Sequence, residues 1–182
     1  MIGDGITIAR HCENVDLPLD REPDAPPLSC EGTTTASIDS CNMAYAQRIA
    51  MMSDDTTKIG AVIMDTHLNI LSRGYNHFPK GVQRTEERSG RPAKYDYTEH
   101  AERDAIFAAA RRGVALEGSI MYVSGLRPCK ECARAIVLAG IKTLVLESLD
   151  IPEAKDGHSW AESMRIGAQI LEEGGVTVQL VN

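Results

Sequence analysis

Two cysteines three positions apart, Cys129 and Cys132, stand directly behind Pro128, and upstream of them, across a strand-like run, lie His100 and Glu102. No other feature limits the chain so tightly, because thiolates at i and i+3 of a helix share a face and can meet one tetrahedral ion. A helix amino end and a bound metal both lower a thiol's pKa, which favours the ligating form. Pro128 suits a first helical turn, where an amide hydrogen has no helical use. With His100 as third donor, the protein supplies three ligands and leaves one tetrahedral position for water, the pattern of a catalytic zinc and not of a structural one. Taken alone, Cys129-x-x-Cys132 reads equally well as a redox pair or a structural zinc knuckle; the order and spacing of all four residues favour the catalytic site. Two residues on a regular helix are separated by roughly 200°, so the spacing predicts His100 at a helix entrance with Glu102 inside. Glu102 is then the carboxylate placed to take a proton from water and hand it on.

The 182 residues suit one domain, and 43% hydrophobic with 25% charged residues is an ordinary globular balance with an aliphatic core, since aromatics make up only 4%. No run approaches the roughly 20 apolar residues of a membrane span, and the opening MIGDGITIARHCENVD lacks the pattern of a secretory signal. A soluble, cytoplasmic protein is expected. Five cysteines, an odd set with one tight pair, read as reduced thiols plus a metal site, with Cys12, Cys30 and Cys41 outside the chemistry. The net charge is −7, and residues 1–35 hold seven acids against Arg10 and Arg21, so 2 − 7 = −5 arises there. That balance disfavours a grip on a nucleic-acid backbone, whereas a small anionic substrate needs only a local cluster of cations.

Residues 1–36 read as an acidic, irregular arm, and residues 37–182 as the folded domain. Within the domain the patterns predict a helix over 37–52, capped by Ser37 or Asp39, and a hairpin of strands 59–64 and 69–74 with His67 exposed at its tip. A long polar connection, 75–97, precedes a helix over 99–110 capped by Thr98. A strand at 120–123, a helix at 129–138, a strand at 143–147, a helix at 160–172 and a strand at 176–181 complete the chain. An opening hairpin followed by alternating helices and strands implies an α/β fold with a mixed sheet covered by helices. Trp160 is expected to anchor the last helix in the core rather than stack on a ligand, and His77 to lie away from a ligand rather than on it.

Over residues 38–181 the chain resembles the deoxycytidylate deaminase family of the cytidine deaminase-like superfamily. The matching residues are Ser53-Asp54-Asp55-Thr56-Thr57-Lys58-Ile59-Gly60-Ala61-Val62-Ile63, Gly74-Tyr75-Asn76, His100-Ala101-Glu102, Met121-Tyr122-Val123, Pro128-Cys129-Lys130-Glu131-Cys132 and Gly140-Ile141-Lys142. The H-x-E and P-C-x-x-C segments together form the signature of zinc deaminases. The resemblance implies a three-layer α/β/α fold, Zn2+ on His100, Cys129 and Cys132, Glu102 as proton shuttle, Asn76 on the sugar and the Ala101 amide on the base. It also implies a homo-oligomer, often a hexamer in this family. Phosphate recognition by Lys58, Arg127 or Lys130 is physically sensible, because charge-assisted bonds to phosphate are strong, although surface cations are more often simply solvated.

Two positions depart from the family pattern: His77 replaces the usual glycine after Gly-Tyr-Asn, and Asp104 replaces the usual asparagine two residues beyond the glutamate. Both bear against regulation by deoxynucleoside triphosphates, with which a Mg2+ ion would travel. The implied reaction is hydrolysis of dCMP to dUMP and ammonia. Open alternatives are another nucleotide, a nucleoside, a base or a tRNA adenosine as substrate, or a non-catalytic zinc-stabilised nucleotide-binding protein, against which Glu102 argues.

Overall fold

The computed structural model describes residues 35–151 and 160–181. The acidic arm expected over 1–36 therefore lies, but for its last two residues, outside the described residues. The elements are α1 (Thr35–Ala50), β1 (Gly60–Met64), β2 (Ile70–Tyr75), α2 (Glu86–Ser89), α3 (Lys94–Tyr97), α4 (Ala101–Arg111), β3 (Ile120–Ser124), α5 (Lys130–Leu138), β4 (Thr143–Leu146), α6 (Trp160–Glu173) and β5 (Thr177–Leu180). The strands form one sheet in the order β2-β1-β3-β4-β5. β1 pairs antiparallel with both β2 and β3, whereas β3–β4 and β4–β5 are parallel, so the sheet is mixed as expected.

Every residue of β1 is buried, because helices cover both faces of the sheet. Side chains alternate across a strand, and β1 divides accordingly. Ala61 and Ile63 join Ala105 of α4, Ile136 of α5 and Leu171 of α6 on one face, while Val62 and Met64 join Met43, Ala46 and Ile49 of α1 on the other. The result is the expected three-layer α/β/α arrangement around an aliphatic core. No helix among the described residues is long and apolar enough to cross a membrane.

Glycine and serine in β2 let α4 approach closely. A Cβ at Gly74 would come within 2.3 Å of the Ala105 nitrogen and 2.5 Å of the Ala101 oxygen. Ser72 Oγ donates to the Ala105 carbonyl at 2.7 Å. The helix that carries Glu102 is thus held directly against the sheet.

Several local expectations are corrected. α1 spans Thr35–Ala50, so Ser37 and Asp39 both lie inside the helix and neither is its cap; the Asp39 carboxylate accepts a hydrogen bond from the Tyr122 hydroxyl at 2.7 Å. Thr98 does not cap α4; it closes α3, and His100 in extended conformation (φ −87°, ψ 149°) is the N-cap of α4. Cys129 is likewise the N-cap of α5 (φ −75°, ψ 173°), which puts Pro128 just outside the helix instead of in its first turn. In both cases the cap residue's side chain is directed to the donor cluster and makes no capping hydrogen bond. The polar connection contains two short helices, α2 and α3, that its composition gave no period to reveal.

Candidate active site

The openings of α4 and α5 converge, and each places a donor at the junction. His100 Nδ1 lies 3.4 Å from Cys132 Sγ and 3.6 Å from Cys129 Sγ, and the three donor atoms lie within 4.8 Å of one another. An ion with ligand distances of about 2.3 Å to sulfur and about 2.0 Å to nitrogen would separate such donors by about 3.5 Å, so the arrangement fits zinc. The cap position of His100 also resolves the spacing problem. An extended residue followed directly by a helix lets the imidazole and the Glu102 carboxylate serve one site although they are two residues apart.

Charge is concentrated at this junction. The Cys129 thiol is pulled down to about 3, first by its contact with Cys132 and then by His100, while the same contact and burial push Cys132 up. The neighbouring Cys129 raises His100 to about 8. A divalent cation held by these three donors would displace the protons they carry. Glu102 is 3% exposed, and burial pushes its carboxyl above the usual glutamate value.

These groups open onto a cavity of about 290 Å³ lined in part by His100, Ala101, Glu102, Cys129 and Asn76. Asn76 is pinned there: its amide donates to the Thr57 carbonyl at 2.8 Å and its carbonyl accepts from the Ile59 amide at 2.8 Å. One amide hydrogen and one lone pair remain for a ligand. Ala101 opens α4, where the first amides have no partner within the helix's own ladder.

The expected cations separate. Arg127 lines the cavity and donates to the Leu149 carbonyl at 3.0 Å. Lys58 turns back to the Ser53 carbonyl and does not line the cavity, and neither does the exposed Lys130. Sequence reasoning missed Arg91, Lys94 and Tyr95, which arrive from the polar connection, and Asp55, which receives Lys94 Nζ at 2.7 and 3.0 Å. Burial alone would raise the Asp55 carboxyl, but Lys94 and the Thr57 amide outweigh it and hold it below its ordinary value. The pair is about nine-tenths buried on both sides, with side chains 10% and 11% exposed.

Trp160 corrects another expectation. Its ring is half-buried, lines the cavity, and lies 5.3 Å from the Tyr95 ring and 5.6 Å from the His100 ring. A helical apolar spacing places a residue on the inward face without distinguishing core from cavity. His77 stays out of the lining and pairs with Asp104, while His67 is exposed as expected.

A helix-covered mixed sheet with this donor set at the meeting of two helix openings defines a zinc deaminase fold. Residues 36–148 match the family described as the cytidine and deoxycytidylate deaminase zinc-binding region, and the chain belongs to that family. It is 34% identical over 127 residues to a protein of Aliivibrio fischeri described as an uncharacterized deaminase in the luxG 3' region, covering 69% of this chain and 80% of that one. It is also 34% identical over 116 residues to the deoxycytidylate deaminase of Homo sapiens, covering 57% of this chain and 63% of the human protein, so less than two thirds of that relative is spanned. Among solved structures, dCMP deaminase of the cyanophage S-TIM5 with dCMP and dUMP superposes with a TM-score of 0.62 at 24% identity, covering 81% of this chain and 99% of the phage chain; this likeness shows the shared fold.

Proposed function

We propose that this protein hydrolyses dCMP to dUMP and ammonia in pyrimidine deoxynucleotide metabolism. The observation that carries the reading is a single cavity with a buried carboxylate, Glu102, beside the His100–Cys129–Cys132 donor cluster and arginines, Arg91 and Arg127, in its wall. One part suits proton transfer at a ring; the other suits an anion. The similarity to proteins named deoxycytidylate deaminase supports the choice of substrate.

In this reading His100, Cys129 and Cys132 hold Zn2+. Zinc, when bound, supplies Lewis-acid chemistry and lowers the pKa of a ligated water toward about 7. Glu102 takes a proton from the attacking water and delivers it to N3 of the cytosine as oxygen adds at C4. The same carboxylate then passes the second proton to the amino group, and the C4–N bond breaks to release ammonia. The pinned Asn76 meets the sugar and the Ala101 amide meets the base. Arg127 and Arg91 face the phosphate, a task for which Lys58 and Lys130 are not required.

The proposal extends to a homo-oligomer in the cytoplasm. Exposed Met51, Phe107 and Leu138, at 68%, 49% and 86%, give self-association apolar surface to cover, and a thiolate metal site suits a reducing compartment. A Mg2+ ion enters only as the companion of a triphosphate effector, since among the described residues one cluster of His, Cys and carboxylate groups suits an ion, and it is the zinc site.

Ammonia release from dCMP, CMP, deoxycytidine and dCTP tests the reading. The expected order has dCMP first by kcat/KM; preference for the unphosphorylated nucleoside would overturn it.

A further inference from the structure

We propose that Trp160 is a substrate-binding residue whose indole forms a wall against the bound pyrimidine nucleotide. The proposal rests on the nucleotide reading above and adds a residue to it.

Trp160 lines the same cavity as His100 and Glu102, and its ring centre is 5.6 Å from that of His100. The indole therefore stands in the cavity wall beside the donor cluster. The core of this chain is built from aliphatic side chains, and aromatics make up 4% of its residues. Its single tryptophan nevertheless sits at the cavity, edge-on to Tyr95 at 5.3 Å. An aromatic face suits a planar base, because stacking is favourable for any ring and fixes its plane.

The wall is also firmly placed. Trp160, Ser163, Met164 and Gly167 recur at spacings of three and four, so they share one face of α6. Ser163 Oγ accepts from the Lys130 amide at 3.3 Å and thereby supplies a cap to α5 that the Cys129 side chain, turned toward the donor cluster, does not give. At Gly167 a Cβ would meet the Pro128 oxygen at 2.8 Å and the Cys129 carbonyl carbon at 3.0 Å. Met164 is buried and lines the cavity between them. The helix carrying the indole is thus keyed to the turn carrying Cys129, and on the other side Tyr95 follows Lys94, which is locked to Asp55. The Tyr95 ring, 5.3 Å from the indole, completes the wall on that side.

Because Trp160 is the only tryptophan, its emission reports on this cavity alone. Zinc-loaded Glu102→Gln protein is titrated with dCMP and with dUMP, following tryptophan emission and, in parallel, heat of binding. A saturable emission change with the calorimetric midpoint is expected. In the Glu102-intact protein, Trp160→Ala should raise KM for dCMP at least about fivefold with zinc content unchanged, and Trp160→Phe should recover most of the loss. Calorimetric binding without any emission change, or an unchanged KM in Trp160→Ala, overturns the role of Trp160 and leaves the substrate reading standing. No binding of either nucleotide to the wild-type protein overturns both. The emission titration needs no substitution at Trp160, so a poorly folded Trp160→Ala variant does not blunt the test.

Discussion

His77 and Asp104 face each other across the junction of β2 and α4, with Nε2 3.2 Å from Oδ1. The other imidazole nitrogen, Nδ1, is 2.7 Å from the Phe78 carbonyl oxygen, and the other Asp104 oxygen accepts from the Tyr75 amide at 3.2 Å. His77 and Asp104, both singled out in the sequence, therefore form one contact. Backbone bonds between His77 and Glu99, at 3.2 and 2.8 Å, run beside it and tie the loop of Asn76 to the entrance of α4.

With an oxygen acceptor at each ring nitrogen, only the imidazolium satisfies both, and the Asp104 hydrogen bond raises the His77 pKa above its ordinary 6.5 despite burial, with Glu99 adding to the effect. A raised folded-state value means this contact stabilises the protein fully below the unfolded pKa near 6.5 and loses that contribution as pH rises through the folded value. Asp104→Asn should lower the His77 titration midpoint in an imidazole NMR experiment and flatten the pH dependence of the melting temperature on this limb. An unmoved midpoint would remove Asp104 as the cause.

The Asp55–Lys94 pair makes the opposite pH prediction. Its lowered carboxyl value stabilises the fold above the unfolded pKa near 3.8 and loses that contribution as pH falls through the folded value. Asp55→Asn leaves the Lys94 ammonium buried without its partner, and the cost should approach the ~3–5 kcal/mol seen when one member of a buried pair is removed. Urea unfolding at neutral pH measures it; a loss below about 1 kcal/mol would mean that Lys94 finds water instead.

Gly167→Ala tests the seam between α6 and α5. The added methyl meets backbone atoms of Pro128 and Cys129, which cannot swing aside as a side chain can. A loss of about 1–3 kcal/mol is expected, the range for overpacking. Thermal melting together with zinc content would show whether the displaced helix also disturbs the donor turn; an unchanged melt would show that α6 shifts freely.

The chemistry at the helix openings was legible in the sequence because it depends on residue type and close spacing: His100 and Glu102 two apart, Cys129 and Cys132 three apart. The mixed sheet was legible for a similar reason, since the hairpin and the alternating elements leave few ways to connect. Cap identities were legible only in part: the two-residue spacing put His100 at the helix entrance, but Thr98 is the better capping residue by composition, and it is the extended backbone at His100 and Cys129 that makes them the caps. Arg91, Lys94 and Tyr95 were hidden in a segment without periodicity. His77 and Asp104 were each conspicuous, yet their partnership depends on how β2 lies against α4. Trp160 followed a helical apolar period, and that period does not say whether the inward face meets core or cavity.

In the proposed reaction Glu102 moves protons while His100, Cys129 and Cys132 hold the metal. Zinc content measured beside ammonia release from dCMP, in Glu102→Ala and in wild-type protein, separates the two roles. The variant should keep wild-type zinc content with turnover reduced at least about a hundredfold. Full zinc with wild-type turnover would remove Glu102 as the proton shuttle.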